Sequence, residues 1–330
     1  MAWLNGWKYR KKHIILGSSS GTVTDYQIRI TVHYGSGTDS GEHVYLNGKC
    51  RADFGDIRFT KSDGKTIQPY WIEEKVDGDY AVFWVKLDYI PPDGTTIYVY
   101  YGNPEATDIS NGSSTFPLYF DDFEDGQLTN YTVETVGPGA DTANPIVEEV
   151  PGFLHMLIDD TRVKDDAGVR VYWNTSITEN NVAFRGYIRF IGLDPYLHFD
   201  ESGFRYAKVR YDYRPYLSIY EKRLYVDSNY ATLESLSSDW DETIYLTVAV
   251  YYDGGVVKAF KNDTLWGSVN ATPTTPHIVQ YLVYCIEYPS RAELYVYHAF
   301  VRKYIEPEPS HGAWGREEKA RTKLNKLFRK

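Results

Sequence analysis

The sequence predicts an all-β protein, a small antiparallel β-sandwich followed by a larger one and a short C-terminal amphipathic helix, and three observations carry that reading. Aromatic residues make up 16% of the 330 residues, with 31 Tyr and 8 Trp, and such rings favour pleated, half-buried surfaces over helix interiors. Apolar and polar side chains alternate with period two in one segment after another, the pattern of strands with one buried face. Gly, Pro, Asn and Asp clusters punctuate these segments at hairpin spacing.

In the first half, Tyr26, Ile28, Ile30, Val32 and Tyr34 alternate with Gln27, Arg29, Thr31 and His33. Similar runs occupy residues 7–16, 57–60, 67–74, 80–87 and 96–101. Between them lie Ser62-Asp63-Gly64, Asp77-Gly78-Asp79 and Pro91-Pro92-Asp93-Gly94, which supply the positive φ angles and preset turns that hairpins need. These residues predict a first domain over 1–114.

A second domain is expected over 115–310, opening at the run from Thr115 to Gly126. Strands are predicted near 182–191, 206–212, 216–220, 244–252, 256–260, 277–284 and 293–301. Residues 245–252 and 256–260 read as a hairpin closed by Asp253-Gly254-Gly255, and Lys261-Asn262-Asp263-Thr264 as a second turn. Such a meander folds into two stacked sheets. Residues 311–330 form a separate basic tail: Arg316 to Lys330 contain no Gly or Pro, and Ala320, Leu324, Leu327 and Phe328 recur at helical spacing.

Charge narrows the partners. The net charge is −10, but residues 311–330 hold seven Lys or Arg against two Glu, leaving 28 basic and 43 acidic side chains, or −15, in the body. An acidic body repels phosphate backbones, which excludes nucleic acid as its partner. No apolar run approaches bilayer length, and the sequence after Met1 is polar, with no apolar segment like that of a secretory leader. Cys50 and Cys285 are the only cysteines. They read as two unpaired thiols or as one bridge between the halves, and lack metal-site spacing.

Trp7-Lys8-Tyr9-Arg10-Lys11, Asp56-Ile57-Arg58-Phe59-Thr60, Tyr70-Trp71-Ile72-Glu73-Glu74, Phe83-Trp84-Val85-Lys86 and Ile97-Tyr98-Val99-Tyr100-Tyr101-Gly102-Asn103-Pro104 resemble an uncharacterised β-domain family of archaeal and bacterial surface proteins, domain of unknown function 2341. Members of that family are often followed by a concanavalin A-like lectin/glucanase module. Phe120-Asp121-Asp122-Phe123-Glu124-Asp125-Gly126 resembles the start of such a module, and Phe300 to Pro309 its last strand and exit. The resemblance implies a concanavalin A-like jelly roll for the second domain, with a glycan lying on one sheet face.

No catalytic constellation emerges. The Glu-x-Asp-x-x-Glu arrangement, which puts two acids of a glycosidase on one strand face, is absent from the sequence, and Asp239-Trp240-Asp241-Glu242 reads as a polar loop. Gly17-Ser18-Ser19-Ser20-Gly21 matches a nucleophile elbow in letters but is followed by a strand, where the mechanism needs a helix. Gly35 to Gly41 lacks the spacing of a phosphate cradle.

Two binding regions are expected. Asp121, Asp122, Glu124 and Asp125 concentrate carboxylates at the module's start, and hard cations take carboxylate oxygens, so a structural calcium competes there with plain solvated charge. For glycans, Lys208, Arg210, Asp212, Tyr213 and Tyr216 combine rings that stack on sugars with forked hydrogen-bonding groups. Five Asn-x-Ser/Thr sequons, at Asn111, Asn130, Asn174, Asn262 and Asn270, suit a glycan-bearing exterior. The expectation is therefore a non-catalytic protein of an extracellular, cell or virion surface, attaching to a carbohydrate or glycoprotein through its second domain. A structural virion or appendage subunit, with a homo-oligomeric or particle contact through the C-terminal helix, is the alternative. A glycoside hydrolase is the third.

Overall fold

The structure is a computed structural model, and it describes residues 2–137, 139, 145–159, 167–192, 203–206, 215–218, 223–226, 229–233, 240–272, 278–285 and 291–320. It is nearly all β, as its alternating sequence predicts. The chain forms two compact units: Met1–Phe116 together with Glu306–Lys330, and Pro117–Ile305.

The first unit contains β1 (Tyr9–Leu16), β2 (Val23–His33), β3 (His43–Tyr45), β4 (Arg58–Lys61), β5 (Tyr70–Val76), β6 (Tyr80–Ile90) and β7 (Thr95–Tyr101). One sheet runs β3-β2-β6-β5, and the other runs from a late strand, Ser310–Trp314, through β1 and β7 to β4. Alternation supplies the inner faces: Ile28, Ile30 and Val32 pair with Val85, Phe83 and Ala81 across β2 and β6, all buried. Phe59 of β4 meets Phe83 and Tyr70 of the other sheet edge-on, with centroids 5.3 and 5.6 Å away. Those contacts stack the sheets into a sandwich.

The outer face of β1 is closed by a cation. Arg10, 2% exposed, lies 4.4 Å from the Trp3 ring and 4.1 Å from the Tyr98 ring while donating to the Tyr100 hydroxyl at 2.7 Å and to Glu318 at 2.7 Å. Guanidinium planes stack on rings without giving up their in-plane donors. The turn after Pro91 needs glycine: Gly94 has φ +85°, and a Cβ there would sit 2.3 Å from the Ile15 carbonyl.

Residues near the C-terminus depart from expectation. A helix is predicted from Arg316 onward, yet Ser310–Trp314 and Glu318–Lys319 are strands paired antiparallel with β1, and residues 321–330 lie outside the described residues. The open edge of β1 offers backbone partners that outweigh a weak local helical preference. Residues 306–320 thus return to the first unit, where the sequence suggested the end of the second domain and a detached tail.

The second unit contains β8 (Tyr119–Asp121), β9 (Tyr131–Val136), β10 (Ile146–Val150), β11 (Phe153–Asp159), β12 (Ala167–Trp173), β13 (Val182–Gly192), β14 (Gly203–Tyr206), β15 (Pro215–Ser218), β16 (Arg223–Val226), β17 (Asn229–Thr232), β18 (Trp240–Tyr251), β19 (Val256–Lys261), β20 (Thr264–Val269), β21 (Val279–Cys285) and β22 (Arg291–Lys303). Its larger sheet runs β10-β11-β22-β13-β18-β19-β20, with β8 beside β22, and its second runs β17-β16-β15-β14-β21-β12-β9. Met156, Phe184, Ile188, Leu246, Val248, Leu294 and Val296 from the first meet Val169, Val171, Leu224, Tyr281 and Val283 from the second in one core. Both expected hairpins of residues 244–269 form, with Gly255, Asn262 and Asp263 at positive φ.

Cys50 is a buried free thiol, and the Cys285 side chain lies outside the described residues.

Candidate functional site

The outer face of the larger sheet of the second unit follows from period two. On β13, Phe184, Ile188 and Phe190 point into the core, so Arg185, Tyr187 and Arg189 point out. On β22, Leu294 and Val296 are core, which turns Glu293 and Tyr295 outward. A bulge follows Val296: Ile188 faces Val296 while Tyr187 faces His298, so the extra residue, Tyr297, joins the same face.

Cross-strand register brings these rings together. Tyr187 stacks on Tyr245 at 4.5 Å, with Tyr297 at 5.3 Å and His298 at 5.7 Å. Phe153 of β11 lies 5.7 Å from Tyr295 and 6.2 Å from Tyr297, and His155 stacks on Tyr295 at 4.5 Å. Phe153, Tyr187, Tyr245, Tyr295 and Tyr297 are all half-buried, so each ring keeps part of its surface in contact with solvent. The result is an aromatic row across β11, β22, β13 and β18.

Polar groups frame the row. Arg185 stacks 4.5 Å over Tyr245 and donates to Asp263 at 2.6 Å. At the other end, Glu148 lies 3.0 Å from His155 Nδ1 and Glu293 lies 3.6 Å from His155 Nε2. Burial opposes ionisation of Glu293, but hydrogen bonds from Tyr295, at 2.8 Å, and Arg291 outweigh it and hold its pKa below the ordinary value. Burial, and then Glu293, push the Tyr295 hydroxyl up to about 12. Rings that present faces beside fixed charged donors and acceptors can stack on the apolar face of a pyranose while holding its hydroxyls.

Of the residues expected to bind glycan, Tyr216 alone is among the described residues. Lys208, Arg210, Asp212 and Tyr213 lie outside the described residues. Tyr216 belongs to β15 of the second sheet, in register with Arg205 and Tyr225. The aromatic row carried a sequence signal of its own, the alternations Arg185-x-Tyr187-x-Arg189 and Glu293-x-Tyr295-x-Tyr297. What those runs could not disclose is the register that joins them.

The four acids expected to hold calcium do not gather as a cation site. Asp121 already accepts from Phe123 N–H at 2.8 Å and from the Tyr131 hydroxyl at 2.7 Å. The Tyr131 hydroxyl in turn meets that of Tyr119 at 2.7 Å, and Tyr119 meets Tyr281 at 2.8 Å, so Asp121 terminates a buried tyrosine chain. Asp125 caps Gln127 N–H at 2.9 Å, while Glu124 is exposed and Asp122 half-buried. Among the described residues no three His, Cys, Asp or Glu side chains are arranged to hold a metal ion, and these residues do not fit calcium. The acid that joins Asp121 and Asp125 is Glu149 of β10, both of whose carboxylate oxygens are shielded from solvent. Burial first, then Asp125, push its pKa up to about 7.

All five sequon asparagines are exposed. Asn111 caps a four-residue helix, Gly112–Thr115, Asn262 occupies a turn at φ +47°, and Asn130 and Asn174 are joined by a backbone bond of 2.9 Å.

Residues 53–135 match a family described as Domain of unknown function (DUF2341). No curated protein matches the chain. Similar solved structures include one from work on endo-acting O-glycanases that members of the human gut microbiota express to initiate mucin breakdown, at 9% identity and TM-score 0.43 over 57% of this chain and 99% of that one. A sialidase is similar at 11% identity and TM-score 0.40 over 72% of this chain, which spans 21% of the sialidase. The metal-free carbohydrate recognition domain of Emp46p is similar at 9% identity and TM-score 0.36, over 54% of this chain and 90% of that domain. TM-scores below 0.5 transfer no ligand to this chain.

Proposed function

We propose that the second unit binds glycans on the outer face of its larger sheet, without turning them over, and that the first unit serves as an attachment or assembly module on an extracellular, cell or particle surface. The observation that carries the reading is the aromatic row: five half-buried rings from four strands, flanked by Arg185 and by Glu148, His155 and Glu293. One acid among the described residues of that face supports binding without hydrolysis. A glycosidase acid must keep its proton near neutral pH, whereas Glu293 is held on the ionised side. The raised acid, Glu149, follows the alternation of Val147 toward the core and not toward the row. Five exposed sequons support display on an outer surface.

The test is glycan-array binding by the full chain, alongside Tyr187→Ala and Tyr297→Ala. Loss of binding in both variants with unchanged circular dichroism supports the site. Undiminished binding in both overturns it in favour of another face, and a chain that binds no glycan but assembles into particles supports the structural subunit. Release of reducing sugar by the wild type overturns the non-catalytic reading.

A further inference from the structure

Four of the eight histidines of the chain lie in the first unit as two contact pairs. His13 of β1 places its Nε2 2.9 Å from Nδ1 of His311, and its ring stacks on Trp314 with centroids 3.7 Å apart. His13 is 0% exposed. His311 and Trp314 belong to Ser310–Trp314, the strap that covers the edge of β1, and their register partners are Ile15 and His13. Trp314 further donates its indole N–H to the Gly41 carbonyl at 2.9 Å. His33 and His43 form the second pair, Nε2 to Nδ1 at 3.0 Å, on the parallel strands β2 and β3.

We propose that the His13–His311 pair is an acid-sensitive clasp, which holds the strap on β1 at neutral pH and releases it in acid. Two facing imidazole nitrogens share one hydrogen when both rings are neutral. One added proton leaves a cation on the fully buried His13 or the half-buried His311, and a second sets two cations 2.9 Å apart. The Trp314 ring favours a cation only weakly against that burial.

The neighbours do not rescue the charged state. On β1, Lys11 is another cation, paired with Asp39 at 2.6 Å. The facing strand β7 sets Ile97 against His13. Around His311, Arg29 of β2 and His43 of β3 disfavour a proton, and Glu42 favours it; Glu42 is shared with Arg29 at 3.2 Å. Near His33, His43 acts against a proton and Asp79 for it. Burial and His311 push His13 down to about 3 against the Ala313 backbone, which favours the proton, and burial lowers His311.

The sign follows. A group whose folded pKa lies below its unfolded value of 6.5 contributes fully above pH 6.5, and that contribution drains away as the pH falls toward the folded value, about 3 for His13.

Hydrogen exchange of the full chain, read as protection factors, tests this. In the strap, protection is expected to fall up to about tenfold per pH unit for each histidine below about pH 6.5, while β2 and β6 stay protected. In His13→Phe/His311→Gln the fall should vanish. Constant strap protection down to about pH 5 overturns the proposal, as does a fall shared equally by β2 and β6. Should the double variant not fold, the wild-type imidazole resonances decide. Ring protons of His13 and His311 that hold their neutral shifts until the strap opens support the clasp, and ordinary titration near pH 6.5 with the strap still protected overturns it.

Discussion

Tyr187 stacks on Tyr245 directly across the β13–β18 ladder, centroids 4.5 Å apart and planes 27° apart. Arg185, two residues before Tyr187 on the same face, lies over the far partner Tyr245 at 4.5 Å. The stack fixes both rings before any ligand arrives, so little side-chain entropy remains to be lost on binding. Tyr187→Ala is expected to weaken glycan binding by about 1–2 kcal/mol, roughly tenfold in Kd. Titration calorimetry against the strongest array ligand measures it, and a Kd unchanged within twofold removes Tyr187 from the site.

Much of this architecture is written in period two. The alternation of Tyr26 to Tyr34 predicts β2, and the turns at Gly64, Gly78 and Gly94 all take positive φ as their neighbours require. The aromatic row was legible only in halves. Tyr187 and Tyr295 sit more than a hundred residues apart, and a bulge between Val296 and His298 that no local signal announces sets which rings meet. The helix expected from Arg316 gives way at its start for a related physical reason: the spacing of Ala320, Leu324, Leu327 and Phe328 is helical, but an unfilled strand edge on β1 takes Glu318 and Lys319 into a strand. The acid cluster misled because a run of carboxylates in sequence shows nothing of the tyrosine and backbone donors that use them in space.

Asp56 should be one of the most costly residues of the first unit to truncate. It is 0% exposed, and its carboxylate accepts from the backbone N–H groups of Arg51 at 2.9 Å, Gly102 at 2.7 Å and Asn103 at 3.0 Å. Asp56→Ala leaves three donors without partners, at about 1–3 kcal/mol for each that water cannot reach. Urea unfolding should show a loss of about 3 kcal/mol or more, and a loss below about 1 kcal/mol would mean that water replaces the carboxylate.

Cys50 is expected to ignore alkylating reagents while the first unit is folded. Burial, and then Asp56, push its thiol pKa up to about 12, and the thiolate is the reactive form. Iodoacetamide labelling at pH 8 followed by peptide mass spectrometry should find Cys50 modified only in denaturant. Rapid native labelling would contradict the buried placement.

Glu149 makes a pH-dependent liability in the second unit. Its folded pKa, about 7, lies above the unfolded 4.5 because burial and then Asp125 oppose the charge. The native state therefore binds the extra proton, and stability falls as pH rises between those two values. Below pH 4.5 both states are protonated and the penalty is absent; above pH 7 it is complete. Glu149→Gln keeps the size and removes the charge. Thermal melting should show a higher Tm than wild type at pH 8, narrowing to no difference at pH 4. An equal gain at both pH values would point to packing in place of charge, and a loss at pH 8 would mean that the carboxylate holds a partner such as a cation.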